Sequence, residues 1–283
     1  MDGFDGRVVA ITGAAGGIGT ALAKECADRG AGLAISDIDE EGLEETADAV
    51  RSRGAEVRAD VVDVSDREAV REWAEEVESS FGGVHYIVNN AGVSATASVE
   101  GMSYEDFEWL MSINFWGVVH GTKAFLPRIR RSGGGRVVNV SSIFGVVAPA
   151  TQSAYASAKF AVRGFTESLR AELALDEGEV GATCVHPGGV ATGIVRDSRI
   201  GDTGPAERSR DEVVEEFEEE LASLSPEETA AEIADGVEAG KGRILVGTDA
   251  KMLDTVQRLF SGSYPEPLAY VSQLKWELSR DDS

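Results

Sequence analysis

The chain has 283 residues, 42% hydrophobic and 27% charged, with a formal net charge of −24. That length buries one substantial core without requiring a second domain. Fifty acidic residues against 26 basic ones set up a field that repels nucleic acid and anionic membrane surfaces, so neither is an expected partner.

Short apolar runs rich in β-branched residues alternate with longer helical patterns, the mark of βα units in a parallel sheet. The expected strands are Arg7–Thr12, Gly32–Ser36, Glu56–Val62, His85–Val88, Arg136–Val140, Gly181–Val185 and Arg243–Val246. Between them lie amphipathic stretches, such as Val70, Trp73, Ala74 and Val77 on one helix face. No internal repeat or low-complexity linker interrupts the alternation, so a single domain over 1–283 is expected.

Two segments depart from that rhythm. Residues from about 193 to 225 are strongly acidic around an apolar stripe of Val213, Phe217, Leu221 and Leu224, as suits a lid over a site. The tail from about 261 to 283 is aromatic and proline-containing between Tyr264 and Trp276, and is read either as a contact with a neighbouring subunit or as a cover for the chain's own core. Cys26 and Cys184 have no metal-ligand spacing and read as buried thiols. No apolar run approaches the roughly 20 residues that span a bilayer, and the first residues lack the positive flank of a secretory leader. A cytoplasmic protein is therefore expected. Six Lys against twenty Arg in so acidic a chain suggest a salt-adapted cytosol, because salt screens self-repulsion.

After the first strand comes Thr12-Gly13-Ala14-Ala15-Gly16-Gly17-Ile18-Gly19. Glycine suits a tight turn whose backbone must approach a pyrophosphate, with the N–H groups and positive dipole of a helix start facing it. The second strand ends at Asp37, placed to accept from an adenosine ribose diol. Its carboxylate repels a 2′-phosphate, and Ala14 and Ala15 supply no cation, so NAD is expected rather than NADP. Asp37 could instead cap the following helix, a role open equally to Asp39. Asp63 and Val64 after the third strand, and Asn90, Ala91 and Gly92 after the fourth, fall on the rim where open parallel sheets bind ligands. Asp63 is placed to accept from an adenine amino group.

Tyr155 and Lys159 stand four apart at the start of a long helix and share a face. A phenol with pKa near 10 is a poor base at neutral pH, and a neighbouring ammonium favours its phenolate. Ser142 ends the fifth strand, where its hydroxyl can hold a substrate oxygen, and Asn114 is an amide in an otherwise apolar segment. Taken singly, each has a structural explanation as surface pair, turn residue or buried amide.

In this order, after the glycine fingerprint, these residues resemble the short-chain dehydrogenase/reductase family in its single-domain form. Thr12–Gly19 is similar to the TGxxxGxG motif, Asn89–Gly92 to NNAG, and Asn114, Ser142, Tyr155 and Lys159 to the tetrad. Pro187, Gly188 and Thr192 are similar to the segment that meets the nicotinamide end. The resemblance implies an α/β, Rossmann-like doubly wound sheet of seven parallel strands in the order 3-2-1-4-5-6-7. It implies Tyr155 as general acid/base, Ser142 polarising the carbonyl, Lys159 holding the nicotinamide ribose and lowering the Tyr155 pKa, and Asn114 holding a relay water. Hydride would pass between NAD and a secondary alcohol or ketone, with no metal. The cofactor contacts implied include Val190, and Ser94, Val147, Gln152 and Gly189 would line a mostly apolar substrate pocket. Arg196, Arg199, Arg208 and Arg210 either greet an anionic substrate or pair with Asp202, Glu207, Asp211 and Glu212. His85, His120 and His186 are expected to be structural. A homodimer or homotetramer would use Phe115, Trp116, Phe160, Phe165 and Leu169. The competing reading, an NAD-binding scaffold or redox sensor without turnover, calls for a broken tetrad, which this chain does not have.

Overall fold

The computed structural model describes residues 3–176, 178–204, 210–216 and 223–270. Seven parallel strands form the central sheet: β1 (Val8–Thr12), β2 (Gly32–Asp37), β3 (Val57–Val61), β4 (Tyr86–Asn89), β6 (Gly135–Val140), β7 (Val180–Pro187) and β9 (Arg243–Val246). Their order is β3-β2-β1-β4-β6-β7-β9. The labels depart from the expected 3-2-1-4-5-6-7 because two short strands intervene in the chain, β5 (Ala95–Thr96) and β8 (Arg199–Ile200), which pair with each other outside the main sheet.

Alternate residues of a strand point to opposite faces, so an all-apolar strand feeds two cores. Val9 and Ile11 join the cluster under α1 (Gly17–Asp28), α2 (Glu40–Arg51) and α8 (Pro226–Glu238). Ala10 enters the cluster under α3 (Arg67–Phe81), α5 (Gly117–Arg131) and α6 (Ser153–Ala174). Val70, Trp73, Ala74 and Val77 are buried as their spacing predicts, with Trp73 edge-on to Phe125 at 5.0 Å. Both cysteines are free and buried.

Three further features bear on the site. Asn114 lies not in an α-helix but in a π-helical turn, Ser112–Trp116, between α4 (Tyr104–Met111) and α5. The described part of the tail folds back on its own chain: Tyr264 and Leu268 pack with Ile143, Val146, Val147 and Ala250 of α9 (Thr248–Leu259). Of the apolar stripe in the acidic segment, Val213 lies in α7 (Arg210–Glu216) and Leu224 is described, while Phe217 and Leu221 lie outside the described residues. So do Glu207, Arg208 and residues 271–283, which include Trp276. Among the described residues, no helix is long and apolar enough to cross a membrane.

Candidate active site

The C-terminal ends of the parallel strands place the glycine loop, Asn89–Gly92, Ser142 and Pro187 along one edge of the sheet. Gly13 has φ +68, and a Cβ there would stand 2.6 Å from the Ala91 Cα. A Cβ on Gly19 would overlap the Gly13 carbonyl. Both glycines therefore permit close backbone approach. Nothing lies within 4 Å of a Cβ built on Gly16, which precedes α1 without any side-chain cap, so the first N–H groups of that helix face open space. A cavity of about 450 Å³ opens there, lined by Gly16, Gly17 and Thr192 together with Lys24, Glu45 and Glu227. Ile18 faces the other way, onto the core.

Loops on neighbouring strands hold this cradle. Thr12 Oγ1 accepts from the N–H groups of Asn90 (3.0 Å) and Ala91 (3.1 Å), and Asn90 Nδ2 donates to the carbonyls of Thr12 and Gly13. Asp37 Oδ1 accepts from Ile38 and Asp39 N–H, while Oδ2 accepts from Ala15 N–H at 2.9 Å. A carboxylate has about four lone-pair sites, so one remains for a ribose hydroxyl. Asp39, not Asp37, caps α2. Asp63 Oδ1 accepts from Ser65 N–H, and the buried Val64 carbonyl meets His120 Nδ1 at 3.0 Å. An open phosphate cradle, an uncapped helix start and an acid at the β2 end fit a dinucleotide.

At the other end of the edge, the Ser142 hydroxyl stands where it favours the Tyr155 phenolate. Tyr155 is half-buried and edge-on to Phe144, ring centroids 6.2 Å apart. Lys159 Nζ sits 5.5 Å from the Tyr155 ring centroid and donates to the Val140 carbonyl at 3.1 Å. Burial pushes the Tyr155 phenol up to about 12, with the Ser142 hydroxyl pulling the other way. Burial also pushes the Lys159 ammonium down to about 8. Asn114 is fully buried and clasps Val93, its Oδ1 accepting from the Val93 N–H and its Nδ2 donating to the Val93 carbonyl, both at 2.8 Å. A Cβ on Gly92 would lie 3.1 Å from Asn114 Oδ1 and 3.5 Å from Lys159 Nζ, so the four tetrad residues converge. Thr151, just before α6, adopts φ +64, a strained conformation for a β-branched residue at the entry to the Tyr155 helix.

The residues named for the substrate side are tied into neighbouring structure. The Ser94 carbonyl accepts from Arg199 N–H at 3.1 Å, and Gln152 Nε2 donates to Thr96 Oγ1 at 2.9 Å. Val147 is 1% exposed, enclosed with Ala250 and Tyr264, and the next N–H, that of Ala148, reaches Tyr264 Oη. Gly189 N–H donates to Asp249 Oδ2, and Val190 pairs with Leu224. Arg199 turns away from the acidic residues expected to meet it. Its guanidinium lies 3.8 Å over the Trp109 ring and binds Asp106 Oδ1 at 2.8 Å, because the β5–β8 pairing carries it across to α4. The histidines meet main chain: His186 Nδ1 lies 2.9 Å from the Ser142 carbonyl, and His85 Nδ1 accepts from Val8 N–H at the opposite edge of the sheet from the tetrad. Of the expected contact residues, Trp116 and Phe160 are exposed, Phe115 is packed edge-on to Phe165, and Leu169 is buried. Asp249 and the Arg199–Trp109 pair carried no motif in the sequence.

The family model described as short chain dehydrogenase matches residues 7–202. The putative oxidoreductase SadH of Mycobacterium tuberculosis is 44% identical over 269 residues, covering 95% of this chain and 96% of that protein. Among solved structures, a short-chain dehydrogenase/reductase from Burkholderia phymatum in complex with NAD superposes with a TM-score of 0.84 at 28% identity, over 94% of this chain and 97% of that one. An alcohol dehydrogenase from the archaeon Thermococcus sibiricus, complexed with 5-hydroxy-NADP, gives 0.67 at 28% identity over 82% and 89%. The chain belongs to the short-chain dehydrogenase/reductase family, an oxidoreductase family on a Rossmann-like sheet.

Proposed function

We propose that this protein is an NAD-dependent oxidoreductase of secondary alcohols and ketones with Tyr155 as its general acid/base. The observation that carries this reading is the convergence of Ser142, Tyr155, Lys159 and Asn114 beside an open phosphate cradle. Asp37 supports NAD over NADP, since its remaining acceptor site suits a hydroxyl and its charge repels a phosphate.

Bound in the cradle, NAD supplies the hydride acceptor, or NADH the donor. For alcohol oxidation, the Tyr155 phenolate takes the hydroxyl proton while Ser142 Oγ donates to the oxygen that becomes the carbonyl. In reduction, the Tyr155 Oη–H returns that proton. The Lys159 ammonium favours the phenolate and holds the ribose hydroxyls. Asn114, whose amide is tied to Val93, would hold the relay water that links Lys159 to solvent. Pro187, Gly188, Val190 and Thr192 bound the nicotinamide end. Phe144 and Val93 pack with Tyr155, an apolar surround that suits a hydrophobic substrate, with Ser94 and Gly189 as the polar rim of the proposed pocket. Exposed Trp116 and Phe160 support pairing of two copies across the π-turn and α6, with a cytoplasmic location and a salt-adapted surface as the accompanying readings.

The test is NAD reduction across a panel of secondary alcohols, at low and molar KCl, with wild type and Tyr155→Phe. Turnover that Tyr155→Phe abolishes while NADH still binds is the expected result. NADH binding by wild type without turnover in either direction would favour a scaffold role.

A further inference from the structure

Asp249 belongs to none of the motifs above, yet it touches the stretch on which the nicotinamide end depends. It stands in the first turn of α9, just beyond β9, and its Oδ2 accepts the Gly189 N–H at 2.8 Å. Its Oδ1 is buried with no hydrogen-bond partner among the described residues. A buried carboxylate oxygen left in that state is costly, and the start of α9 offsets only part of the cost through its dipole.

The same carboxylate explains two glycines. Gly188 is not among the glycines with positive φ, so backbone freedom is not its reason; a Cβ there would overlap both Asp249 oxygens. Gly247 has φ +90, and a Cβ on it would lie 2.5 Å from Asp249 Oδ1 and 2.7 Å from Leu224. The carboxylate therefore fills the gap between the ends of two neighbouring parallel strands, β7 and β9. The ties that Val246 and Leu224 give this stretch run through main chain: Gly188 N–H to the Val246 carbonyl, Leu224 N–H to the Gly189 carbonyl, and Ala191 N–H to the Leu224 carbonyl. At its far end Thr192 lies against the glycine loop, its Cγ2 3.0 Å from a Cβ built on Gly17.

We propose that Asp249 is a positioning residue: through the Gly189 N–H, and through the room that Gly188 leaves for it, its carboxylate sets the height at which the Pro187–Thr192 stretch meets the nicotinamide half of the cofactor. This rests on the dinucleotide reading above. Asp249 touches neither the reacting atoms nor the adenosine half, so its removal acts on one end of the cofactor alone.

The experiment titrates NADH and ADP-ribose, which lacks the nicotinamide, against wild type, Asp249→Ala, Asp249→Asn and Gly188→Ala, with thermal melts to confirm folding. For Asp249→Ala, NADH affinity falls about tenfold, the loss of one charge-assisted hydrogen bond, and ADP-ribose affinity is unchanged. Asp249→Asn keeps an acceptor for Gly189 in the same volume and restores most NADH affinity. Gly188→Ala weakens NADH in the same way, and the Gly188→Ala/Asp249→Ala double variant is no worse than the singles, because the clash leaves with the carboxylate. Equal losses for both ligands, no loss for either, or additive losses in the double variant overturn the proposal. Wild type binding neither ligand overturns it together with the dinucleotide reading.

Discussion

Replacing Lys159 by Met keeps the length of the side chain and removes its charge. With Nζ 5.5 Å from the Tyr155 ring centroid and an effective dielectric of about 20, the ammonium favours the phenolate by about 3 kcal/mol. That is about two pKa units. Burial, opposed by the Ser142 hydroxyl, holds the phenol at about 12, so losing the lysine makes the base form scarcer still throughout the neutral range. The coupling is mutual: the phenolate raises the ammonium, which burial pushes down to about 8, and the two titrate as a pair. Alcohol oxidation needs the phenolate, so its rate rises with pH through the pair's apparent pKa. Lys159→Met moves that limb up by about two units and lowers the rate at pH 7 by roughly 100-fold, with the curves converging at high pH. The assay is the pH profile of kcat for NAD reduction from pH 6 to 11, with NADH affinity measured separately because Lys159 also serves the ribose. A melt is needed too, since the variant orphans the Val140 carbonyl. A loss of rate that is uniform in pH would refute the electrostatic argument.

The other predictions concern the cofactor's far end, the lid and the buried histidine. Asp37→Ala removes a charged acceptor from the ribose site, so the ratio of kcat/KM for NAD over NADP falls about 10- to 100-fold; an unchanged ratio would place the ribose elsewhere. Arg199→Ala breaks both the Trp109 stacking and the Asp106 pair, together worth about 1 kcal/mol, and release of the ketone product in stopped flow accelerates about fivefold while NADH release is unchanged; an unaltered product-release rate counts against a latch. His186 is buried and pushed down to about 4 from an ordinary 6.5, chiefly by desolvation, so only the unfolded chain takes up its proton between those values. Stability is therefore lost as pH falls through that window, by up to about 3 kcal/mol. His186→Asn flattens that part of the slope in chemical denaturation between pH 7 and 4.5, and parallel slopes for the two proteins would refute the assignment.

Features set by local periodicity or by a single residue's stereochemistry were readable in the sequence. The seven main strands lie within about two residues of their expected spans, because each is a β-branched run bounded by Gly, Asp or Asn. Gly13 and Gly19 were readable because close backbone approach leaves glycine no substitute. Position in the chain also brought the tetrad into view, Tyr155 and Lys159 through a one-turn spacing. What escaped depends on pairs far apart in sequence. β5 and β8 are two residues each and become strands only by meeting one another. Arg199 was surrounded by acids in sequence but found Asp106 and Trp109 in space. Asp249 sits in an ordinary helix start, and its signal was indirect: a glycine at 188 whose φ does not require one. The π-turn at Asn114 left no trace in the apolar run around it.

Among its described residues, the acidic segment is tied to the rest of the fold near its start and at its end, and the two ties are not equivalent. At its start β8 lies on β5 through Arg199 N–H to the Ser94 carbonyl and Gly201 N–H to the Thr96 carbonyl, reinforced by the Arg199 latch. Ser98 adds two more bonds, its N–H and its hydroxyl both donating to the Asp202 carbonyl, and each such hydrogen bond contributes about 1 kcal/mol net. At its end Leu224 brackets the nicotinamide stretch, accepting from Ala191 and donating to Gly189. That end then runs directly into α8, whose start is fixed by a capping box between Ser225 and Glu228. Moving Leu224 would shift Gly189 against Asp249 and disturb the stretch on which the cofactor rests. On the proposed reading, the β8 end would face the substrate and the Leu224 end the cofactor, so that substrate would exchange past β8 while the dinucleotide stayed in place.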